Sequence, residues 1–362
     1  MIIGIPKEIR PSEYRVGLSP AGVKNLTDHG HTVYVEHHAG LGAGFSDQDY
    51  ENAGARLAYQ AQEVFGRADL LTKISRPLQE ELEMMRDGAI LGGLLQIPST
   101  RPKKIDTMVA KKLSVVAYEQ ILLADNVRPV LQVSSQIGGR MAAQIAARLL
   151  ENTHSGKGIL LGGMPGVPPA EVVIIGAGTV GLCAVRAFSG LGAQITLLDH
   201  NLQNLRRAQN YNPHIVTLLC TPDKVARSVS YADVLVAAAA QPGERAPIIV
   251  TRTMVKQMKP RALIMDISID QGGNVETSRP TSHENPTFMD EGVMHYCVPN
   301  IPGAVARTAT HGFVNAALPF IVEIADKNID AAMAQNTAIE NAVAIHKGLP
   351  RTSVRQTLRG EK

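Results

Sequence analysis

Short apolar runs alternate with amphipathic ones from the first residue to about residue 117. Ile2–Ile5, Thr32–Glu36, Asp69–Ile74, Ala89–Leu95 and Leu113–Ala117 are of strand length and rich in β-branched or aliphatic residues. Between them, Ala21–Asp28, Asp47–Ala53, Leu78–Arg86 and Pro102–Lys112 repeat apolar residues at helical spacing. Strands alternating with helices over short connections predict a parallel sheet covered on both faces. Val133–Asn152 keeps helical periodicity long enough to cross between lobes, and the Gly/Pro-rich loop HSGKGILLGGMPGVPPAE follows it. A second alternating series starts at Glu171. Its strands are Val172–Ile175, Gln194–Leu198, Ile215–Leu219, Val234–Ala238, Ala262–Asp266 and His295–Val298, with helices at Thr179–Leu191 and from about Leu202. From Val305 onward the pattern reads helical again. The expected fold is α/β: two Rossmann-like lobes with a cleft, the first discontinuous (1–132 and 307–362) around the second (133–306).

Composition narrows the function classes. With 36 Lys+Arg against 33 Asp+Glu, a net charge of +3 in 362 residues leaves no basic footprint for nucleic acid. Aromatics are 4% and Trp is absent, which argues against base-stacking platforms. No apolar run reaches membrane-spanning length, and MIIGIPKEIR lacks the basic start and apolar core of a signal peptide. Cys183, Cys220 and Cys297 are too far apart for a disulfide framework or a CxxC metal pair. A cytoplasmic, reducing location is expected. Cys183 reads as a small core residue. His29, His31, His37 and His38 are expected to face solvent, with no carboxylate at ligand spacing around them, so no metal is expected.

The sharpest motif is Gly176-Ala177-Gly178-Thr179-Val180-Gly181, which follows the strand VVII and opens a helix. Asp199 ends the next strand, 18 residues past Gly181. This is the spacing of a dinucleotide site. Gly176 permits the tight turn, Gly178 lets backbone approach a pyrophosphate, and Gly181 allows close helix packing. The helix N-terminus offers free N–H groups to phosphate. A carboxylate at Asp199 accepts ribose hydroxyls and repels a 2′-phosphate, which favours NAD over NADP, although Arg206 and Arg207 lie nearby. Arg15, just before a Ser-Pro helix start, could grip a carboxylate in bidentate fashion, or be a surface cation. Asp270, past the end of a strand, lies where open α/β sheets gather catalytic groups, whereas Asp266 within that strand reads as structural. Asn300, in the turn PNIPGA, could serve a site or only the turn.

Taken together, GIPKEI…RVGLSPAGV, HAGLGAGFSD, GGMPGVPPAEVVIIGAGTVG, DQGGNVETSRPTSH and HYCVPNIPGAV resemble the alanine dehydrogenase family. That superfamily also holds the NAD-binding subunit of transhydrogenase and saccharopine dehydrogenase. The resemblance runs unbroken from Met1 to about Lys347. It implies a discontinuous substrate domain, a central NAD-binding domain and homo-oligomers, hexameric or dimeric. Carried over residue by residue, it gives Arg15 the substrate carboxylate, Asp270 a catalytic place beside the reacting carbon, and Asn300 a place in the same pocket. Ser135 matches the serine that approaches the cofactor.

Two positions depart from the family pattern. The substrate-contacting lysine is replaced by Ser75 in Lys73-Ile74-Ser75-Arg76-Pro77, and the catalytic histidine by Gln96 in Leu94-Leu95-Gln96. Gln96 donates a hydrogen bond but does not titrate, and losing an acid–base group typically costs about 10²–10⁴ in rate. Lys73, two residues and about 6.6 Å earlier on the same face of a regular strand, cannot simply take its place and could reach the substrate only with its long stem, and His295 could stand in as the base. Three functions fit these residues: an NAD-dependent dehydrogenase of an amino or 2-oxo acid other than alanine and pyruvate, alanine dehydrogenase proper, and an NAD-binding subunit without its own chemistry.

Overall fold

A computed structural model describes residues 1–240 and 245–351. The chain divides into two units, Met1–Ser134 with the segment from Gly303 onward, and Ser135–Pro302. Strands β1 (Ile2–Ile5), β2 (Thr32–Glu36), β3 (Arg56–Ala58), β4 (Leu70–Thr72), β5 (Ile90–Gly93) and β6 (Ser114–Ala117) belong to the first unit. The second holds β7 (Glu171–Ile175), β8 (Gln194–Asp199), β9 (Val216–Leu219), β10 (Val234–Ala237), β11 (Leu263–Asp266), β12 (Thr287–Asp290) and β13 (Val293–Tyr296). The returning chain adds β14 (Val343–His346) and β15 (Leu349–Pro350) to the first sheet.

Both sheets are doubly wound. In the first the order is β15-β14-β6-β5-β4-β1-β2-β3, in the second β12-β13-β11-β10-β7-β8-β9. Apart from β12, β14 and β15, every pairing is parallel. Strand order reverses between β1 and β4 in one sheet and between β7 and β10 in the other. At such a switch point the loops leaving the two strands diverge to opposite faces and open a crevice at the carboxyl ends. The central strands are largely apolar and deeply buried because helices cover both faces; β5, β10 and β11 have no exposed residue.

The helix Pro129–Leu149 carries the chain from one unit to the next. It begins four residues before the expected stretch and ends three before its end. Pro129 is tolerated there because the first helical turn needs no N–H from it. The joins at 134/135 and 302/303 replace the expected 132/133 and 306/307, and the first falls inside this helix, where composition does not change. From Val305 the helical pattern holds for Ala306–Gln335, which bends at Asn328 (φ 65°), but beyond it the chain forms the strands β14 and β15 where the pattern predicts helix. β14 pairs antiparallel with β6, a partner remote in sequence. Among the described residues no helix is long and apolar enough to cross a membrane.

Candidate active site

In the first unit the candidate residues stand on the loops that leave β1, β4 and β5. Gly17 lets the segment after β1 lie directly over the end of β4: a Cβ there would come within 2.3 Å of Thr72 O. Arg15 is thereby held beside the loop that follows β4, at 7% exposure. Its guanidinium grips Glu13 in bidentate fashion, Nε donating to Oε1 at 2.6 Å and Nη2 to Oε2 at 2.5 Å. The Ser75 hydroxyl donates to the same Oε2 at 2.8 Å. Burial pushes the Glu13 carboxyl up, but the bonds from Arg15 and Ser75 outweigh it and hold the group below the ordinary carboxylate range. An incoming carboxylate therefore meets an arginine whose charge a neighbour already balances.

Lys73 does not behave as its long stem suggests. β4 ends at Thr72, and the Lys73 side chain turns inward to 1% exposure. Its ammonium lies 2.7 Å from Glu81 Oε1 and 3.1 Å from Glu8 Oε2. Burial would lower its pKa, but the two flanking carboxylates more than reverse this, so the amine stays charged and engaged. Glu8 Oε1 also accepts the N–H groups of Ile74 (2.6 Å) and Ser75 (3.2 Å). This network pins the loop that presents Ser75. Lys73 is a structural cation here, and the expectation that it reaches substrate is corrected accordingly.

Gln96 follows β5 in a left-handed conformation, φ 45°. The buried Glu119 carboxylate accepts its N–H at 2.6 Å and that of Leu95 at 3.1 Å, while Gln96 itself is exposed. Burial raises the Glu119 carboxyl.

The second unit carries the dinucleotide turn. Gly176 has φ 101°, and a Cβ there would meet Ala238 O at 2.5 Å, across the β7/β10 switch point. At Gly181 a Cβ would fall 1.8 Å from Gly176 O, so only glycine lets the helix Thr179–Gly190 close on the turn. Gly178 has nothing within 4 Å of its missing side chain, which leaves the backbone open to a ligand. Asp199 Oδ2 accepts the N–H of Ala177 at 2.7 Å, and Oδ1 that of Asn201 at 2.7 Å. These features fit a dinucleotide: bare backbone and the N-terminus of a twelve-residue helix for the pyrophosphate, led by Thr179 and Val180, and a carboxylate at the end of β8 for ribose hydroxyls. Ser135 lies four residues before Gly139 on one helix face, and Gly139 packs against Val180, where a Cβ would approach its carbonyl oxygen to 2.2 Å. That face looks toward the turn.

Asp270 sits in a short 3₁₀ turn (Ile269–Gln271) after β11, and Asn300 (φ 56°) follows the adjacent β13. The N–H of Asn300 points at Asp270 Oδ2 from 3.4 Å, so the two candidates do share one sheet end. Asp266 is structural, as expected: buried, it accepts the N–H groups of Ser268, Asn274 and Val275. His295 is no stand-in base. It is wholly buried, Nδ1 donates to Val293 O (3.0 Å) and Nε2 pairs with the Thr277 hydroxyl (2.7 Å); burial lowers its pKa.

Sequence reasoning missed Glu13, Glu8, Glu81 and Glu119, the carboxylates that arrange Arg15, Lys73, Ser75 and Gln96. The one available signal was Glu13 two residues before Arg15 in the same motif. It also missed Asn274, wholly buried, which ties the end of β10 through Ala239 (2.7 and 3.0 Å). Nor do all the histidines merely face solvent. His29 and His31 both bond Asp326, and His37 and His38 converge on Asp47.

A doubly wound unit whose turn fits a dinucleotide, joined to a second doubly wound unit with a buried arginine at its switch point, is the layout of a two-domain dinucleotide-binding protein. The family models for the N-terminal and C-terminal domains of alanine dehydrogenase/PNT match residues 4–138 and 142–352. An alanine dehydrogenase of Bacillus subtilis is 44% identical over 94% of this chain and 89% of its own length. One from Methanococcus maripaludis is 43% identical over 94% and 91%. A solved L-alanine dehydrogenase structure matches all of both chains at 39% identity with a TM-score of 0.96. The chain belongs to the alanine dehydrogenase/PNT family. It is an NAD-dependent amino-acid dehydrogenase by class.

Proposed function

We propose that the chain interconverts L-alanine and pyruvate: L-alanine, NAD⁺ and water give pyruvate, ammonium, NADH and a proton. One observation carries this reading above the others: Arg15 is fixed at the β1/β4 switch point of a chain about two-fifths identical, nearly end to end, to proteins named alanine dehydrogenase. NAD, when bound, takes up or gives the hydride. Gly176, Gly178, Thr179, Val180 and Gly181 would hold its pyrophosphate and Asp199 its ribose, with Ser135 and Asn300 as further contacts. Arg15 receives the substrate carboxylate, trading part of its pairing with Glu13 for it. Asp270 stabilises the cationic iminium side of the reaction by charge, without donating a proton. Ser75 and Gln96, standing at the positions that resemble the family's lysine and histidine, supply hydrogen bonds only. The working form is a homo-oligomer in the cytoplasm.

A second reading, reduction of a different and bulkier 2-oxo acid, is favoured by the same two neutral residues. Ser75 spends its hydroxyl on Glu13 and brings no charge. NADH absorbance in the presence of ammonium separates the readings. Consumption with pyruvate, and far less with NADPH in place of NADH, is expected. Consumption with a larger 2-oxo acid but not with pyruvate selects the second reading. NADH binding without turnover of any 2-oxo acid rejects both.

A further inference from the structure

The loop after β2 gathers two imidazoles and a carboxylate at one point on the first unit. His37 Nδ1 lies 2.7 Å, and His38 Nε2 3.7 Å, from a single oxygen, Asp47 Oδ2. One donor atom from each of the three residues falls within 4.8 Å of the others. Consecutive residues of an extended chain send their side chains to opposite faces. Here His38 adopts φ 64°, a left-handed conformation that folds its ring onto that of His37, with centroids 3.5 Å apart. The other oxygen of Asp47 holds that turn by accepting the N–H of His38 at 2.9 Å. One carboxylate thus shapes the turn with one oxygen and faces both rings with the other.

Hydrogen bonding accounts for the turn but not for the approach of the two rings to Asp47 Oδ2. His37 Nδ1 is buried and makes no hydrogen bond, although Asp47 Oδ2 lies 2.7 Å away. The trio of His29, His31 and Asp326, at the other end of β2, shows the ordinary alternative. There each imidazole has its own carboxylate oxygen, at 3.0 and 2.7 Å, in good geometry.

We propose that His37, His38 and Asp47 form a binding site for one divalent transition-metal ion of the Zn²⁺ kind. Tetrahedral ligands at 2.0–2.1 Å from zinc lie about 3.3 Å from one another, a value the 2.7 and 3.7 Å separations bracket. Two nitrogens and one oxygen suit zinc rather than calcium or magnesium, which take oxygen donors throughout. The side chains are 36%, 48% and 18% exposed, so an ion reaches them from solvent and keeps water on its open side.

The test titrates the full chain, stripped with a chelator, with Zn²⁺ alone by calorimetry, and with Co²⁺ by visible absorption. One Zn²⁺ per chain is expected, with Co²⁺ giving the strong absorption of a four-coordinate ion. His38→Asn keeps a residue that tolerates the left-handed turn, and Asp47→Asn keeps the acceptor for the His38 N–H. Each should weaken Zn²⁺ binding by about tenfold or more, while Asp326→Asn leaves it unchanged. Metal-free melting temperatures establish that each variant is folded. Should Asp47→Asn unfold, His38→Asn and His37→Gln decide. No stoichiometric binding, or binding that survives in His38→Asn and disappears in Asp326→Asn, overturns the proposal.

Discussion

In each unit the first strand stands near the middle of its sheet, so the gap between β1 and β4 corresponds to the gap between β7 and β10. The loops at these gaps are equipped differently. After β7 come three glycines and a helix start, and what is offered is bare backbone: N–H groups, open space at Gly178, and a dipole. After β1 and β4 come Glu8, Glu13, Arg15, Lys73 and Ser75, four of them charged and buried and tied to one another and to Glu81 by short bonds. The winding supplies a crevice and the loops decide what it binds. A pyrophosphate is recognised by backbone, which any Gly-rich turn can present. A small carboxylic acid needs a buried cation, and a buried cation needs partners to keep it charged.

The largest expected effect lies on the dinucleotide side. Asp270→Asn keeps size and hydrogen bonding but removes the charge, so single-turnover NADH consumption with the best 2-oxo acid should fall by about 10² or more, with NADH affinity little changed. Normal turnover would mean that the reaction does not use the end of β11. Next comes a sharpening of the acid side. Gln96→His combined with Ser75→Lys should raise pyruvate-dependent NADH oxidation about tenfold or more over either change alone, since both groups act on one carbonyl. The added lysine would also meet Glu13, which Ser75 now touches, and so loosen the hold of Glu13 on Arg15. Additive or absent gains would place the limit elsewhere.

The two sides were not equally legible in the sequence. The dinucleotide turn could be read outright because its chemistry is local: Gly176, Gly178 and Gly181 act through their own backbone, and Asp199 caps a strand whose apolar run is unmistakable. The doubly wound fold was legible for the same reason, through apolar runs such as Val172–Ile175. The acid side is tertiary. Nothing local says that Glu13 turns inward onto Arg15, or that Lys73 is drawn between Glu8 and Glu81 rather than out along a strand. β3 (RLA) and β14 (VAIH) are too short to display a period, and each is a strand only because a remote neighbour lends it hydrogen bonds. His37, His38 and Asp47 likewise meet only through a left-handed turn.

A smaller effect concerns stability in the second unit. The depressed pKa of His295 means that the unfolded chain takes up this proton before the folded one. Its contribution is complete above the ordinary histidine value of about 6.5 and is lost as pH falls from there toward the lower folded value. His295→Gln should therefore lose less stability than the unaltered chain between about pH 7 and pH 5, measured by urea midpoints. An identical pH dependence in the two proteins would show that another group sets it.

The division of labour between the two switch points is tested most directly by Arg15→Ala, with NADH binding followed by fluorescence and 2-oxo acid affinity measured on the same preparation. Arg15 belongs to the first unit and the dinucleotide turn to the second. The acid should bind about 10–100-fold more weakly, the scale of a lost charged hydrogen bond, while the NADH dissociation constant stays within about twofold. Weakened NADH binding beside an unaltered affinity for the acid would contradict the account.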